Sequence, residues 1–411
     1  MKGNIIVGQS GGPTAAINSS LAGVYRTAID RGAKKVYGMR HGIQGLLNED
    51  YIDLSEHIQT DLDVELLKRT PAAYLGSCRY KLPEIHEDIA TYDKIFSILD
   101  KLEIECFIYI GGNDSMDTIK KLSDYAILTG QSQKFVGVPK TIDNDLALTD
   151  HTPGYGSAAK YIATSTKEVI RDGLGFSYKK QQVIIIEIMG RNAGWLTGAA
   201  ALSRGEDCDG PDLIYLPELT FDIEKFTAKV RKLLTRKDVV VVAVSEGIRI
   251  QDGRYVSELG SASDYVDAFG HKQLTGTASY LANVIHRDIG CKTRAVEFST
   301  LQRSAAHLAS RVDVNEAFMV GGAAVKAADE GDSGKMVVID RVSDDPYQCA
   351  TGIYDVHKIA NGEKMVPREW ITKDGTYVTE EFIDYVRPLI QGDSPSVMVD
   401  GIPRHLYMGK R

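Results

Sequence analysis

Short apolar runs recur along the chain, each closed by glycine or polar residues and followed by a stretch with helical spacing. They are NIIVG at 4–8, CFIYI at 106–110, KFVGV at 134–138, QVIIIEI at 182–188 and DVVVVAV at 238–244. Val and Ile in unbroken runs, without in/out alternation, suit strands covered on both faces, the environment of a parallel sheet. The pattern predicts an α/β protein with mainly parallel, doubly wound sheets. In such sheets ligands gather beyond the carboxyl ends of the strands. Those ends here carry GQSGGPT, GGNDS, PKTIDND, MGRNAGW and SEG, so glycine and charge are concentrated where a ligand binds.

Size changes this picture only by allowing more than one such unit. A chain of 411 residues with 43% hydrophobic content buries a large core and suggests two or three domains. Proline is sparse and no long linker or internal repeat is visible, so the domains are expected to be interwoven. The formal net charge of −8 argues against general nucleic-acid or anionic-membrane binding and confines any polyanion site to a local pocket. The apolar stretch in MKGNIIVGQSGG is too short for a signal peptide, and no run approaches the roughly 18 residues of a membrane span, which predicts a cytoplasmic protein. Cys78, Cys106, Cys208, Cys291 and Cys349 lie far apart without zinc, iron–sulfur or dithiol spacing, so reduced thiols are expected.

The loops supply the candidate chemistry. GQSGGPTAAIN (8–18) sets Gly8, Gly11 and Gly12 before a helix of small residues, where backbone N–H groups and the helix N-terminus make a phosphate cradle. It has neither the Gly-Lys-Ser/Thr ending of a P-loop nor dinucleotide-binding spacing. PKTIDND (139–145) puts a lysine, a threonine and two aspartates in one loop. A hydroxyl accepting a phosphoryl group needs a carboxylate to take its proton, and Asp143 or Asp145 fits that need. In EIMGRNAGW (187–195), Arg191 suits bidentate grip of a phosphate, and in SEG (245–247), Glu246 suits acceptance of sugar hydroxyls. Read singly, the first loop is equally well a plain strand-to-helix turn. For the others the plainer reading is the stronger: an Asx-rich turn with a solvated lysine, a surface arginine and a helix cap. GGNDS (111–115) is the odd member, because Asp114 brings an acid to the mouth of a glycine turn that elsewhere binds phosphate.

Taken together, GGPTAAIN, LGSCRY (75–80), GGNDS, PKTIDND, MGRNAGW, SEG and RAVEFSTLQR (294–303), in this order and spacing, resemble the phosphofructokinase family from near residue 4 to about 360. Within it, the chain is similar to the diphosphate-dependent branch. The resemblance implies reversible Mg2+-dependent phosphoryl transfer from diphosphate to the 1-hydroxyl of fructose 6-phosphate. The family's ATP users carry a small glycine in place of Asp114 and another in place of Lys140. A carboxylate at 114 fills and repels the space of a nucleotide's α-phosphate, while Lys140 brings charge to the transferring phosphoryl and the leaving group.

Further roles are likewise what the resemblance implies. Asp143 matches the base, with Thr141 and Ile142 beside it in the acceptor site. Met189, Gly190 and Arg191 match a segment lining that site, and Glu246 matches the carboxylate that holds sugar hydroxyls. Arg294 and Arg303 match arginines that grip the 6-phosphate, the former lent by a neighbouring subunit, with Thr300, Leu301 and Gln302 in the same motif. Gly11, Gly12, Gly112 and Lys140 match the diphosphate cradle, and Arg79 a transition-state charge partner. The implied Mg2+ rests on Asn113, Asp143, Asp145, phosphate oxygens and water. Asn113 departs from a frequent aspartate, Thr300 from a frequent histidine, and Gln182 from a second inter-subunit arginine for which Lys179 or Lys180 would substitute.

The fold so implied is two lobes with the active site between them. One is 1–150 plus about 303–342, binding the donor. The other is about 151–302 plus 343–411, binding the sugar phosphate. A homodimer or homotetramer sharing its sites is expected, with no nucleic-acid or membrane partner. Two alternatives stand beside this reading. An ATP-dependent kinase is opposed by Asp114 and Lys140. A non-catalytic sugar-phosphate-binding paralogue is opposed by the presence of Asp143, Lys140, Arg191 and Arg303.

Overall fold

The computed structural model describes residues 1, 3–176, 180–260, 274, 276–359 and 362–408. Strands β1 (Asn4–Gln9), β2 (Val36–Met39), β3 (Tyr51–Asp53), β4 (Ile104–Gly111) and β5 (Lys134–Pro139) come first. They are followed by β6 (Gln182–Ile188), β7 (Leu213–Tyr215), β8 (Val239–Ser245) and β9 (Lys292–Glu297), and then by β10 (Lys335–Asp344) and β11 (Tyr347–Asp355).

Two sheets result. A seven-stranded sheet has the order β11-β10-β5-β4-β1-β2-β3, and a four-stranded sheet the order β7-β8-β6-β9. The second sheet is parallel throughout, and the first is parallel except at its edges, where β3 and β11 run antiparallel to their neighbours. This is the mainly parallel α/β architecture that the unbroken apolar runs predict. In β1, Ile5 and Val7 belong to one core and Ile6 to another on the opposite face, and both cores are sealed. Val183 and Ile185 of β6 likewise face one core, Ile184 and Ile186 the other. Alternation is present in space but invisible in sequence, because both faces demand apolar side chains.

The chain leaves the first sheet after β5, builds the second, and returns through helix Arg311–Asp329. That helix locks onto helix Ile17–Asp30 through glycines: a Cβ on Gly23 would lie 2.0 Å from the Phe318 carbonyl oxygen, and one on Gly321 would lie 2.1 Å from that of Ser20. The exit expected near 343 falls inside a hairpin, since β10 pairs with β11 from Lys335 opposite Asp355 to Asp344 opposite Tyr347. The chain therefore stays with the first sheet to Asp355. The half-exposed YQCATGIYD of β11 has no apolar run to announce it, as an edge strand wetted on one side needs none.

Gln182 is buried at the start of β6, where its Nε2 donates to the Gly173 carbonyl at 3.3 Å, so its side chain is engaged within its own chain. Lys180 is exposed, and Lys179 lies outside the described residues. Beyond β11, helix Glu380–Val386 seats Phe382 against Trp195, with ring centres 5.9 Å apart, and covers the second sheet. Among the described residues no helix is long and apolar enough to cross a membrane.

Candidate active site

The carboxyl ends of β1, β4 and β5 meet those of β6 and β8 around a cavity of about 670 Å³. After β1 the backbone turns at Gly11, where φ is +77°, a conformation that only glycine adopts cheaply. The turn is tied to the segment carrying Arg79, since Gly11 N donates to the Cys78 carbonyl at 3.2 Å and Ser77 Oγ to the Gly11 carbonyl at 2.6 Å. Lys140, at the end of β5, is buried and its Nζ donates to the Gly12 carbonyl at 2.7 Å.

Gly111 and Gly112 serve the start of helix Asn113–Thr129. A Cβ on Gly111 would stand 1.9 Å from Ser115 Oγ, so the tight entry to the helix excludes any side chain there. Ser115 N and Met116 N both donate to the Gly112 carbonyl. Asp114 lies exposed in the first turn, where a carboxylate complements the helix dipole while bordering the cavity.

In the loop after β5, Asp143 N donates to Thr141 Oγ1 at 3.1 Å. Asn144 takes a left-handed conformation with φ +55°, fixed by its Nδ2 donating to Tyr385 at 2.9 Å and its Oδ1 accepting from Thr152 N at 3.0 Å. Burial raises the pKa of Asp143, opposed first by Lys140 and then by Arg191. Burial, with the Asp143 charge added, pushes Asp145 up to about 7. Burial pulls Lys140 down to about 8, opposed by the two aspartates. A desolvated carboxylate pair beside one ammonium gives a site whose protonation answers to whatever anion enters.

The second sheet contributes its own loops. Ser245 Oγ donates to the Gly190 carbonyl at 2.5 Å, and a Cβ on Gly247 would lie 1.9 Å from the Arg191 carbonyl oxygen, so the glycine of SEG admits the arginine loop. Burial and the neighbouring Asp143 push Glu246 up to about 8. Arg303 has its pKa lowered by burial and then by Arg79, and its Nη1 is 3.5 Å from where a Cβ on Gly12 would be.

Gly11, Gly12, Arg79, Gly112, Asn113, Asp114, Lys140, Thr141, Ile142, Asp143, Asp145, Met189, Arg191, Glu246 and Arg303 all border the cavity. Gly190, Arg294, Thr300, Leu301 and Gln302 are not among its lining residues. Gly190, at φ +127°, shapes the turn. Gln302 supports the lining from behind, accepting from Met189 N at 3.2 Å, while Leu301 is exposed. Arg294 points its Nη1 to Asp172 at 2.7 Å on the half-exposed edge strand β9. Glu363 and Asn192 border the cavity without having been singled out in the sequence. Asn192 sits inside a quoted motif, but Glu363 arrives from a C-terminal segment with no local signal.

Among the described residues no group of three or more His, Cys, Asp or Glu converges to hold a metal. The cavity nonetheless offers hard oxygen donors in Asp143, Asp145 and Asn113, whose Oδ1 is buried with no hydrogen-bond partner. Such a sparse set suits Mg2+, which keeps waters and shares phosphate oxygens rather than occupying an all-protein cage.

The phosphofructokinase family model matches residues 4–328. A pyrophosphate–fructose 6-phosphate 1-phosphotransferase of Xanthomonas campestris pv. campestris is 43% identical over 407 residues, covering 99% of this chain and 96% of the relative. One of the same description from Halomonas elongata is 40% identical over 409 residues, covering 99% and 96%. The crystal structure of a pyrophosphate-dependent phosphofructokinase from Nitrosospira multiformis superposes with a TM-score of 0.88 at 36% identity, covering 98% of this chain and 95% of that one.

Proposed function

The chain belongs to the phosphofructokinase family, and on that premise we propose that it transfers a phosphoryl group reversibly from diphosphate to the 1-hydroxyl of fructose 6-phosphate, giving fructose 1,6-bisphosphate and phosphate. Relatives so described cover nearly its whole length. The observation that carries the choice of donor is the pairing of Asp114, in the first turn of helix Asn113–Thr129, with the buried Lys140 on the same cavity. Asp114 denies an α-phosphate its space and charge, and Lys140 supplies the positive charge that diphosphate needs.

Asp143 is the general base, taking the proton of the 1-hydroxyl as it attacks. Its raised pKa brings it nearer the working pH, where proton acceptance is most effective. Lys140 is cationic below about pH 8, and entering diphosphate reinforces that charge; it stabilises the transferring phosphoryl and the departing phosphate. Arg79 adds charge at the donor side. Arg191 and Arg303 bind the sugar phosphate, with Arg294 completing the grip from a neighbouring subunit. Glu246, whose pKa is pushed up by burial and Asp143, accepts hydrogen bonds from the sugar hydroxyls. Mg2+ held by Asn113, Asp143 and Asp145 would neutralise diphosphate oxygens.

The lobe carrying the first sheet binds the donor and the lobe carrying the second binds the sugar phosphate. The active form is a homodimer or homotetramer, and the protein works in the cytoplasm. The test is product formation from fructose 6-phosphate and Mg2+ with either diphosphate or ATP: diphosphate should support turnover and ATP barely so. The opposite preference would overturn the assignment of donor.

A further inference from the structure

Residues 363–366 lie beyond the matched family region, which ends at residue 328, yet they run between two loops of the site. Leu146 and Glu363 form an isolated antiparallel bridge, and Lys364 N donates to the Asp145 carbonyl at 2.8 Å. From the other side, Trp195 Nε1 donates to the Lys364 carbonyl at 2.8 Å and Asn192 Nδ2 to Glu363 Oε1 at 2.9 Å. Glu218 Oε1 accepts from both Val366 N at 2.9 Å and Gly194 N at 2.8 Å. This strap therefore fastens the base loop after β5 to the arginine loop after β6.

The Lys364 side chain turns inward. Its Nζ donates to the carbonyls of Thr149, at 3.2 Å, and Asp150, and lies 3.5 Å from the Tyr385 hydroxyl and 5.1 Å from the centre of the Trp195 ring. An ammonium has three donors, and here two go to the far end of the base loop and the third points to Tyr385 of helix Glu380–Val386. Tyr385 joins the same knot, donating to the Asp150 carbonyl at 2.6 Å while accepting from Asn144 Nδ2 at 2.9 Å. The loop needs such a hold: Asn144 at φ +55° and Leu148 at φ +63° are both left-handed, a conformation that side chains disfavour and that persists only where surroundings over-determine it.

We propose that Lys364 is a positioning residue for phosphoryl transfer, clamping the base loop against the arginine loop so that the Asp143 carboxylate stays aimed at the acceptor hydroxyl. The proposal rests on the reading of Asp143 as base. Misplacement of a reacting group by about 1 Å costs on the order of 10²-fold in rate with little change in ground-state binding.

The test is steady-state kinetics with diphosphate, Mg2+ and fructose 6-phosphate, alongside thermal melts, for the full chain and for Lys364→Met, Lys364→Arg and Trp195→Phe. Lys364→Met should lower kcat at least tenfold with KM for both substrates within threefold and a cooperative melt retained. Lys364→Arg should recover part of the loss. Trp195→Phe, which removes the indole donor to the strap but keeps a ring, should lower kcat at least threefold, and it decides the matter if Lys364→Met does not fold. Variants with kcat within twofold of the parent, or with kcat and melting temperature falling while both KM values rise, overturn the proposal. A parent protein inactive with diphosphate would instead sink the donor assignment, so the two failures are told apart.

Discussion

Lys140 Nζ reaches from the end of β5 to the Gly12 carbonyl of the turn after β1, at 2.7 Å. The bond holds the ammonium against the glycine turn. Its charge is costly to bury there, as the downward push on its pKa to about 8 shows, and the aspartates of the base loop offset that cost in part. On the proposed function, a diphosphate entering there would replace a carbonyl partner with a charged one.

Asp114→Gly should raise ATP-dependent activity at least tenfold while lowering diphosphate activity. A tenfold gain corresponds to removing a penalty of about 1.4 kcal/mol from the nucleotide's transition state. Lys140→Gly should damage diphosphate turnover severely without admitting ATP, because Asp114 still stands in the way. Specificity constants for both donors in the single and double variants check this; an Asp114→Gly protein no better with ATP than its parent refutes the role given to the acid.

Asp143→Asn should reduce kcat by about 10²- to 10⁴-fold, the range for a lost general base. Binding of fructose 6-phosphate should stay within about tenfold, since the base acts only as the hydroxyl attacks. Turnover rates combined with equilibrium binding read the two effects separately. Retention of more than about a tenth of the parental rate would move the role to Asp145.

Arg294 stands on an edge strand, paired to Asp172 and away from its own chain's cavity. Arg294→Ala should raise KM for fructose 6-phosphate, and at low fructose 6-phosphate mixed oligomers of Arg294→Ala and Asp143→Ala chains should show more activity than either variant alone. Complementation follows if one subunit lends the arginine to another. No regained activity after subunit exchange speaks against a shared site.

His151 is buried between Asp150, 2.8 Å from Nδ1, and Glu316, 2.7 Å from Nε2. Burial alone would lower its pKa, but Glu316 and Asp150 together push it up to about 9. A folded-state pKa above the unfolded value of about 6.5 gives stability fully present below pH 6.5 and lost as pH rises through about 9. The gap in stability between the parent and His151→Gln should therefore be largest near pH 6, on the order of 3 kcal/mol, and shrink by pH 9. Chemical denaturation across that range measures it, and a gap that does not change with pH contradicts a charged His151.

The five strands announced by unbroken Val/Ile runs were legible because burial on both faces leaves no room for polar residues. Edge strands β9, with the sequence KTRAVE, and β11, with YQCATGIYD, were not, since half-wet strands obey pairing rather than composition. The glycine-bearing loops were legible as a set because of their order and spacing, although the limit at Gly247 is set by the distant Arg191 carbonyl and only that at Gly111, against Ser115, is local. Glu363 and Lys364 were not, because nothing near them in the chain marks a strap whose partners lie some two hundred residues earlier.

Sequence by itself therefore determined the α/β class, five of the strands in the sheet interiors and the family, through local apolar runs and ordered motifs. Tertiary structure alone decided which charges share one cavity, that Lys140 is held by Gly12, and that a C-terminal segment packs against the loop after β5. Those outcomes depend on desolvation and on contacts between distant segments, and neither is a property of any local stretch of chain.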